Sequence, residues 1–179
     1  MSKIWEYSFK GLKFLLIVTG IMFLGYDILK LIFHFNDPNF SSNTWKKPPE
    51  WTWEIVPVLL FGALIEEIIF RIIPMTISRI VGEYFNIKKL WIFIAIISSL
   101  IFGFLHGNIT NIFFQGISGF FFCWLWIKVS YDRDLNKSNA EIFWFFPSIV
   151  TWLTHFLFNM TVVIMAYLEE YVINIFHKI

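Results

Sequence analysis

Apolar residues in this chain gather into long stretches separated by short polar breaks, which is the pattern of membrane-spanning helices. About 20 mainly apolar residues cross a bilayer. On that rule spans are predicted at Leu12 to Phe35, Glu54 to Ile80, Leu90 to His106, Asn111 to Val129 and Pro147 to Leu168. The stretch from Asn36 to Trp53 carries Pro38, Pro48 and Pro49, whose missing N–H groups and fixed φ disfavour helix. Tyr131 to Ala140 is the second clear break. Pro147 is expected in the first turn of its helix, where its absent donor would be unpaired anyway, with Phe143 to Phe146 as an interfacial lead-in. The prediction is therefore an all-α, polytopic membrane helix bundle of about five transmembrane helices. Residues 1–179 form a single integral membrane domain in this reading.

Composition strengthens that picture. Hydrophobic residues make up 58% of the chain and charged residues only 15%, beyond the roughly 45–50% apolar content of a soluble domain. Trp45, Trp51, Trp53 and Trp91 fall near predicted span ends, where amphipathic rings favour the interface. Lys3, Lys10 and Lys13 precede the first apolar run in the manner of a signal peptide, but no small-residue cleavage site follows, so the segment is expected to remain as the first span. Asp27 and Lys30 near its end are read as snorkelling side chains.

The distribution of charge says more than its sum of +1, which offers no clustered basic face to a nucleic acid. The N-terminus, the Arg79 to Lys89 loop and the Lys128 to Lys137 loop hold three Lys or Arg each, against Lys46, Lys47 and Lys178 on the alternate side. This bias favours an inside N-terminus. Cys123 is the only cysteine, which excludes an internal disulfide and a thiolate cluster for a metal.

Candidate chemistry lies within the spans. Glu66 and Glu67 are adjacent in the second, and an intramembrane ionisable group is by default a functional-site hypothesis. Residues four apart share a helix face, so Arg71 is the natural partner of Glu67. Glu66 is left without a local cation, expected to be buried and the better general base. His106 ends the third span, on a face with Ser99, Gly103 and Gly107 whose four-residue spacing admits a closely packed neighbour. Asn108, Asn111 and Gln115 continue as a polar run into the fourth helix. In the fifth span Thr151, His155 and Asn159 form a polar stripe, and the imidazole and carboxamide together could offer N–H groups to an oxyanion. His34 and His177 sit at span ends and are assigned to the interface. With a rise of about 1.5 Å per residue, Glu66, His106 and His155 fall roughly 20, 24 and 12 to 20 Å from the inner ends of their spans. The three groups can therefore meet at similar depth.

Glu66-Glu67-x-x-x-Arg71, Phe102-x-x-x-His106 and His155-x-x-x-Asn159, in this order on separate spans, resemble the CPBP family, comprising type II CAAX prenyl endopeptidases and bacteriocin-processing or immunity relatives. The resemblance spans about residues 54–168. It implies that Glu66 and His106 activate a water, that His155 and Asn159 stabilise the oxyanion, and that Glu67 and Arg71 are a supporting pair. Ile72 stands where many relatives have Gly, and one span precedes the first motif where the eukaryotic prenyl proteases have more. The resemblance thus points to a small bacterial relative in the plasma membrane, without carrying over cleavage of prenylated CAAX ends.

The expected function is an intramembrane endopeptidase acting on a membrane-embedded or surface-bound peptide or protein, with the lipid bilayer as its other partner. No cofactor is favoured. A rival within the enzyme class makes Glu66, His106 and His155 ligands of a zinc ion, although no His-Glu-x-x-His motif is present. A rival outside it is a non-enzymatic immunity or partner-binding membrane protein. A carrier would usually show repeats and broken helices, and no internal repeat is visible here. The sequence leaves the oligomeric state and the substrate's identity open.

Overall fold

The computed structural model describes residues 2–33, 53–107, 109–134 and 141–176, all in helices and short turns. The prolines of the 36–53 connection, Trp45, Trp51, His34, His177 and Asn108 lie outside the described residues, as do the side chains of Asp27, Lys30 and Asn111. The helices are α1 (Ser2–Phe33), α2 (Ile55–Glu67), α3 (Ile73–Tyr84), α4 (Leu90–Leu105), α5 (Ile109–Asp134) and α6 (Glu141–Phe176), with a π-helical turn, Ile68–Ile72, joining α2 to α3. Among the described residues two apolar segments, Ile112–Tyr131 and Phe145–Met165, are long enough to cross a membrane, and the apolar helix Leu90–Leu105 is shorter.

Central to the bundle is α5, which buries residues on two faces. Phe121, Phe122, Leu125 and Val129 pack with Leu15 of α1 and with Phe146, Val150 and Phe158 of α6. Cys123, Trp126 and Ile127 pack with Met75 of α3 and Ala95 of α4. Cys123 is thus a core residue, as a small apolar-like side chain should be. Small residues set the closest approaches. A Cβ on Gly11 would come within 2.9 Å of Leu125 and 3.2 Å of Thr154, and one on Gly116 within 3.3 Å of the Ser99 carbonyl oxygen. Hydroxyls tie the crossings further: Ser8 donates to the Val150 carbonyl at 3.3 Å, and Thr154 to that of Ser8 at 3.4 Å. Large apolar side chains, among them Ile69, Ile73, Ile77, Phe93, Leu100 and Phe104, are left on the outer surface. Such a skin suits lipid, which is as apolar as the side chains themselves.

Three boundary expectations are corrected. The helix of the fourth predicted span, α5, continues to Asp134 through the first residues of the predicted break at Tyr131. That of the fifth predicted span, α6, begins at Glu141, so Pro147 lies inside the helix and Phe143 to Phe146 belong to it. Beyond the proline the Thr151 hydroxyl donates to the Pro147 carbonyl at 3.1 Å, and Ser148 accepts from the Trp126 indole at 3.2 Å. The first helix begins at Ser2, ahead of the apolar run, where Glu6 and Lys10 pair at 2.6 Å.

The π turn has a local cause in the sequence. Pro74 lacks the N–H that would bond the carbonyl four residues back, that of Phe70. The helix widens before the proline, with the Ile73 N–H bonding the Ile68 carbonyl across five residues. Phe70's carbonyl is taken up by other helices: the Ser98 hydroxyl of α4 donates to it at 2.5 Å and the Cys123 thiol of α5 approaches at 3.7 Å. Single π turns inside α-helices are frequent at functional sites, and this one directly follows Glu66 and Glu67.

Candidate active site

The two glutamates point about 100° apart around one helix, and the bundle treats them oppositely. Glu67 is fully buried and Arg71 is 1% exposed, with Nη1 of Arg71 3.5 Å from Oε1 of Glu67. The guanidinium lies over the face of Phe102, 3.9 Å from its centroid, with Phe122 at 5.3 Å. Nε and Nη2 of Arg71 have no hydrogen-bond partner, so the ring faces compensate the buried charge through their quadrupoles. Room for the guanidinium exists because residue 119 is glycine: a Cβ there would sit 3.3 Å from Nη2 and 3.1 Å from Phe102. Glu66, by contrast, is 32% exposed, so the burial expected of it belongs to Glu67. Its carboxylate faces the open side of the cluster.

His155 arrives from α6 between the two carboxylates. Its Nδ1 is 2.8 Å from Glu67 Oε1 and its Nε2 is 3.4 Å from Glu66 Oε2. The ring is almost fully buried and stacks on Phe122 at 4.7 Å and 28°, so both its plane and its edge are fixed. One turn earlier on α6, the Trp152 indole donates to the Leu60 carbonyl of α2 at 2.9 Å, bracing the helices that carry His155 and Glu66.

His106 stands at the end of α4, which closes on a left-handed Gly107 with φ +109°. That is the usual conformation of a glycine just past a helix. Gly107 therefore terminates the helix; it meets nothing within 4 Å of a notional Cβ and does not serve close packing. Ser99 does serve it, against Gly116 and Gly119 of α5. The His106 backbone N–H bonds the Gly103 carbonyl, which leaves the Phe102 carbonyl to the imidazole: Nδ1 lies 2.7 Å from it. A carbonyl only accepts, so Nδ1 carries the proton and Nε2 is the lone-pair nitrogen in the neutral ring. That Nε2 is 3.9 Å from Glu66 Oε1.

Glu66, Glu67, Arg71, His106 and His155 are thus brought together. Asn159 lies one turn beyond His155 on α6, partly buried, with no hydrogen bond among the described residues. Thr151 spends its hydroxyl on its own helix, and Gln115 makes no described contact with the cluster. Phe102, Phe122, Ser98, Gly119 and Pro74 were not singled out as site residues by sequence reasoning, apart from Phe102 as part of a motif. Of these only Pro74 carried a readable signal, a proline in mid-span one turn after the motif. Among the described residues no three His, Cys, Asp or Glu side chains are gathered as ligands for one ion.

The family model for type II CAAX prenyl endopeptidase Rce1-like proteins matches residues 48–161. No curated protein and no solved structure matches the chain. The matched region holds more than half of the chain and runs from before Glu66 to beyond Asn159. The chain therefore belongs to the Rce1-like family of type II CAAX prenyl endopeptidases, a family of integral membrane proteases.

Proposed function

We propose that the chain is a glutamate-dependent intramembrane endopeptidase that hydrolyses a peptide bond in a membrane-embedded or surface-bound substrate. The observation that supports it best is the convergence of two imidazole Nε2 atoms on the Glu66 carboxylate while each Nδ1 is held from behind. Glu66 and the neutral His106 present acceptors toward the open side, and acceptors facing one another call for a donor between them. A water fills that need with two O–H groups.

In this mechanism Glu66 takes a proton from the water, His106 orients it through Nε2, and the oxygen attacks the scissile carbonyl carbon. The carbonyl becomes an oxyanion. That oxyanion is stabilised by His155, whose Nε2 is left to face it because Nδ1 is committed to Glu67, and by an N–H of Asn159 from the next turn. Collapse of the intermediate breaks the C–N bond, and the leaving amine takes the proton held by Glu66. One water is consumed. Glu67 and Arg71 touch no reacting atom; Glu67 holds His155, and Arg71 pairs with Glu67.

The lysine and arginine bias supports an inside N-terminus for a bundle of five spans, and the family supports placement in a membrane, which we propose is a bacterial plasma membrane. The deciding experiment is Glu66→Gln in the purified protein, assayed with a candidate peptide encoded beside it. Loss of one general base costs about 10²- to 10⁴-fold in rate. Wild-type turnover in the variant would refute the mechanism. Immunity or partner binding that survives the change, with no cleavage by the wild type, would establish the non-enzymatic rival.

A further inference from the structure

At the opposite end of α4 from His106 lies a second site, independent of whatever reaction the glutamate cluster performs. The last turns of α3, the short 85–89 connection, the start of α4 and the end of α5 enclose a cavity of about 320 Å³. Arg79, Glu83, Asn86, Lys88, Trp91 and Tyr131 line it. The connection is pinned: the Ile87 N–H bonds the Gly82 carbonyl at 2.8 Å, and a Cβ on Gly82 would come within 3.1 Å of the Ile87 carbonyl oxygen. Asn86 takes the left-handed φ of 55° that this tight return requires, a conformation asparagine tolerates better than most residues. The cavity is therefore built into the fold.

Its chemistry is cationic and rich in donors. Arg79 is only 9% exposed; its Nε bonds Glu83 at 2.8 Å and its guanidinium lies 5.1 Å from the Tyr131 ring centroid. Glu83 is 65% exposed and turned to solvent. Lys88 adds a second cation, so the lining carries a net positive charge. The Lys88 ammonium, the Trp91 indole N–H and the Asn86 carboxamide have no hydrogen-bond partner in the described structure. Three donors of that kind around an arginine suit an anion with several acceptor oxygens.

The surroundings identify its source. Ile77, Ile80, Tyr84, Phe85 and Ile87 are exposed beside the cavity, an apolar skin ending in aromatic rings, as at a membrane interface. We infer that this cavity binds the phosphate of a phospholipid headgroup whose acyl chains lie along the outer faces of α3 and α4. Basic pockets between helices at the cytoplasmic surface are suited to such headgroups.

The test measures phospholipid binding by native mass spectrometry of the purified protein in detergent. The probes are dioleoyl phosphatidylglycerol, dioleoylglycerol with the same chains and no phosphate, and inorganic phosphate alone. Phosphatidylglycerol should be retained and dioleoylglycerol should not. Lys88→Gln, at an exposed position that leaves the helices intact, should weaken retention about fivefold, from a surface contribution of about 1 kcal/mol per cation. Trp91→Phe, which removes the N–H together with the five-membered ring but keeps an aromatic side chain, should weaken it too, whereas Lys128→Gln, against Trp124 and away from this cavity, should not. Equal binding of dioleoylglycerol, unchanged binding by Lys88→Gln, or equal losses in the Lys88 and Lys128 variants would each overturn the site. Inorganic phosphate competing as strongly as the lipid would overturn the lipid as its occupant.

Discussion

His155 Nδ1 lies 2.8 Å from Oε1 of Glu67, across 88 positions of sequence, and it is this buried glutamate that fixes the imidazole, while the half-open Glu66 faces its other nitrogen. The two neighbours in the Glu-Glu pair are thereby separated into a holder and a candidate base. Orientation of a histidine by a carboxylate behind it is a general device for fixing which nitrogen faces the reaction.

The separation makes the two glutamines distinguishable. Glu67→Gln should lower thermal stability in detergent, because Arg71 would keep its charge in a buried site without its anion; removing one partner of a buried pair costs about 3–5 kcal/mol. The faces of Phe102 and Phe122 remain to offset part of that. Glu66→Gln, at a partly exposed carboxylate, should melt within a few degrees of wild type. Equal melting of both variants would show that the Glu67–Arg71 pair does not support the bundle.

Ser98 is expected to hold the π turn. Ser98→Ala removes the hydroxyl that satisfies the Phe70 carbonyl, and an unsatisfied buried acceptor costs about 1–3 kcal/mol. The turn sets the direction of Glu66, so cleavage should fall along with the melting temperature. Ser98→Thr should restore both. An alanine variant with wild-type melting and activity would remove Ser98 from that role.

Orientation is testable because the single native cysteine is buried. With Cys123→Ser as background, Ser42→Cys should react with an impermeant thiol reagent in intact cells and Ser138→Cys should not. The opposite pattern would invert the bundle.

Metal dependence gives a fourth outcome. The purified protein should contain well under one zinc per chain and keep cleaving after prolonged chelation, since Asn159 is a better N–H donor than zinc ligand and the chain has no His-Glu-x-x-His motif. Stoichiometric zinc by elemental analysis, with activity lost on stripping and restored by the metal, would establish the zinc version.

The sequence by itself determined the helices, the order of the motifs and the contacts within a helix, because residues four apart share a face whatever surrounds them. Glu67 with Arg71, and His106 at the end of its helix, were legible in this way, whereas Gly107, read as a packing residue, ends the helix instead. The widening before Pro74 was also written locally, in the missing N–H. Pro147 misled, since a proline without its N–H reads as a helix start, whereas this one stands inside a helix that begins at Glu141. Only the tertiary structure decided which glutamate is buried, that His155 pairs with Glu67, and that Arg71 rests on Phe102 in space left by Gly119. Those relations depend on how far each helix is rotated about its axis when α5 packs against its neighbours. That rotation follows from side-chain shape across the interfaces, which periodicity along one chain does not encode.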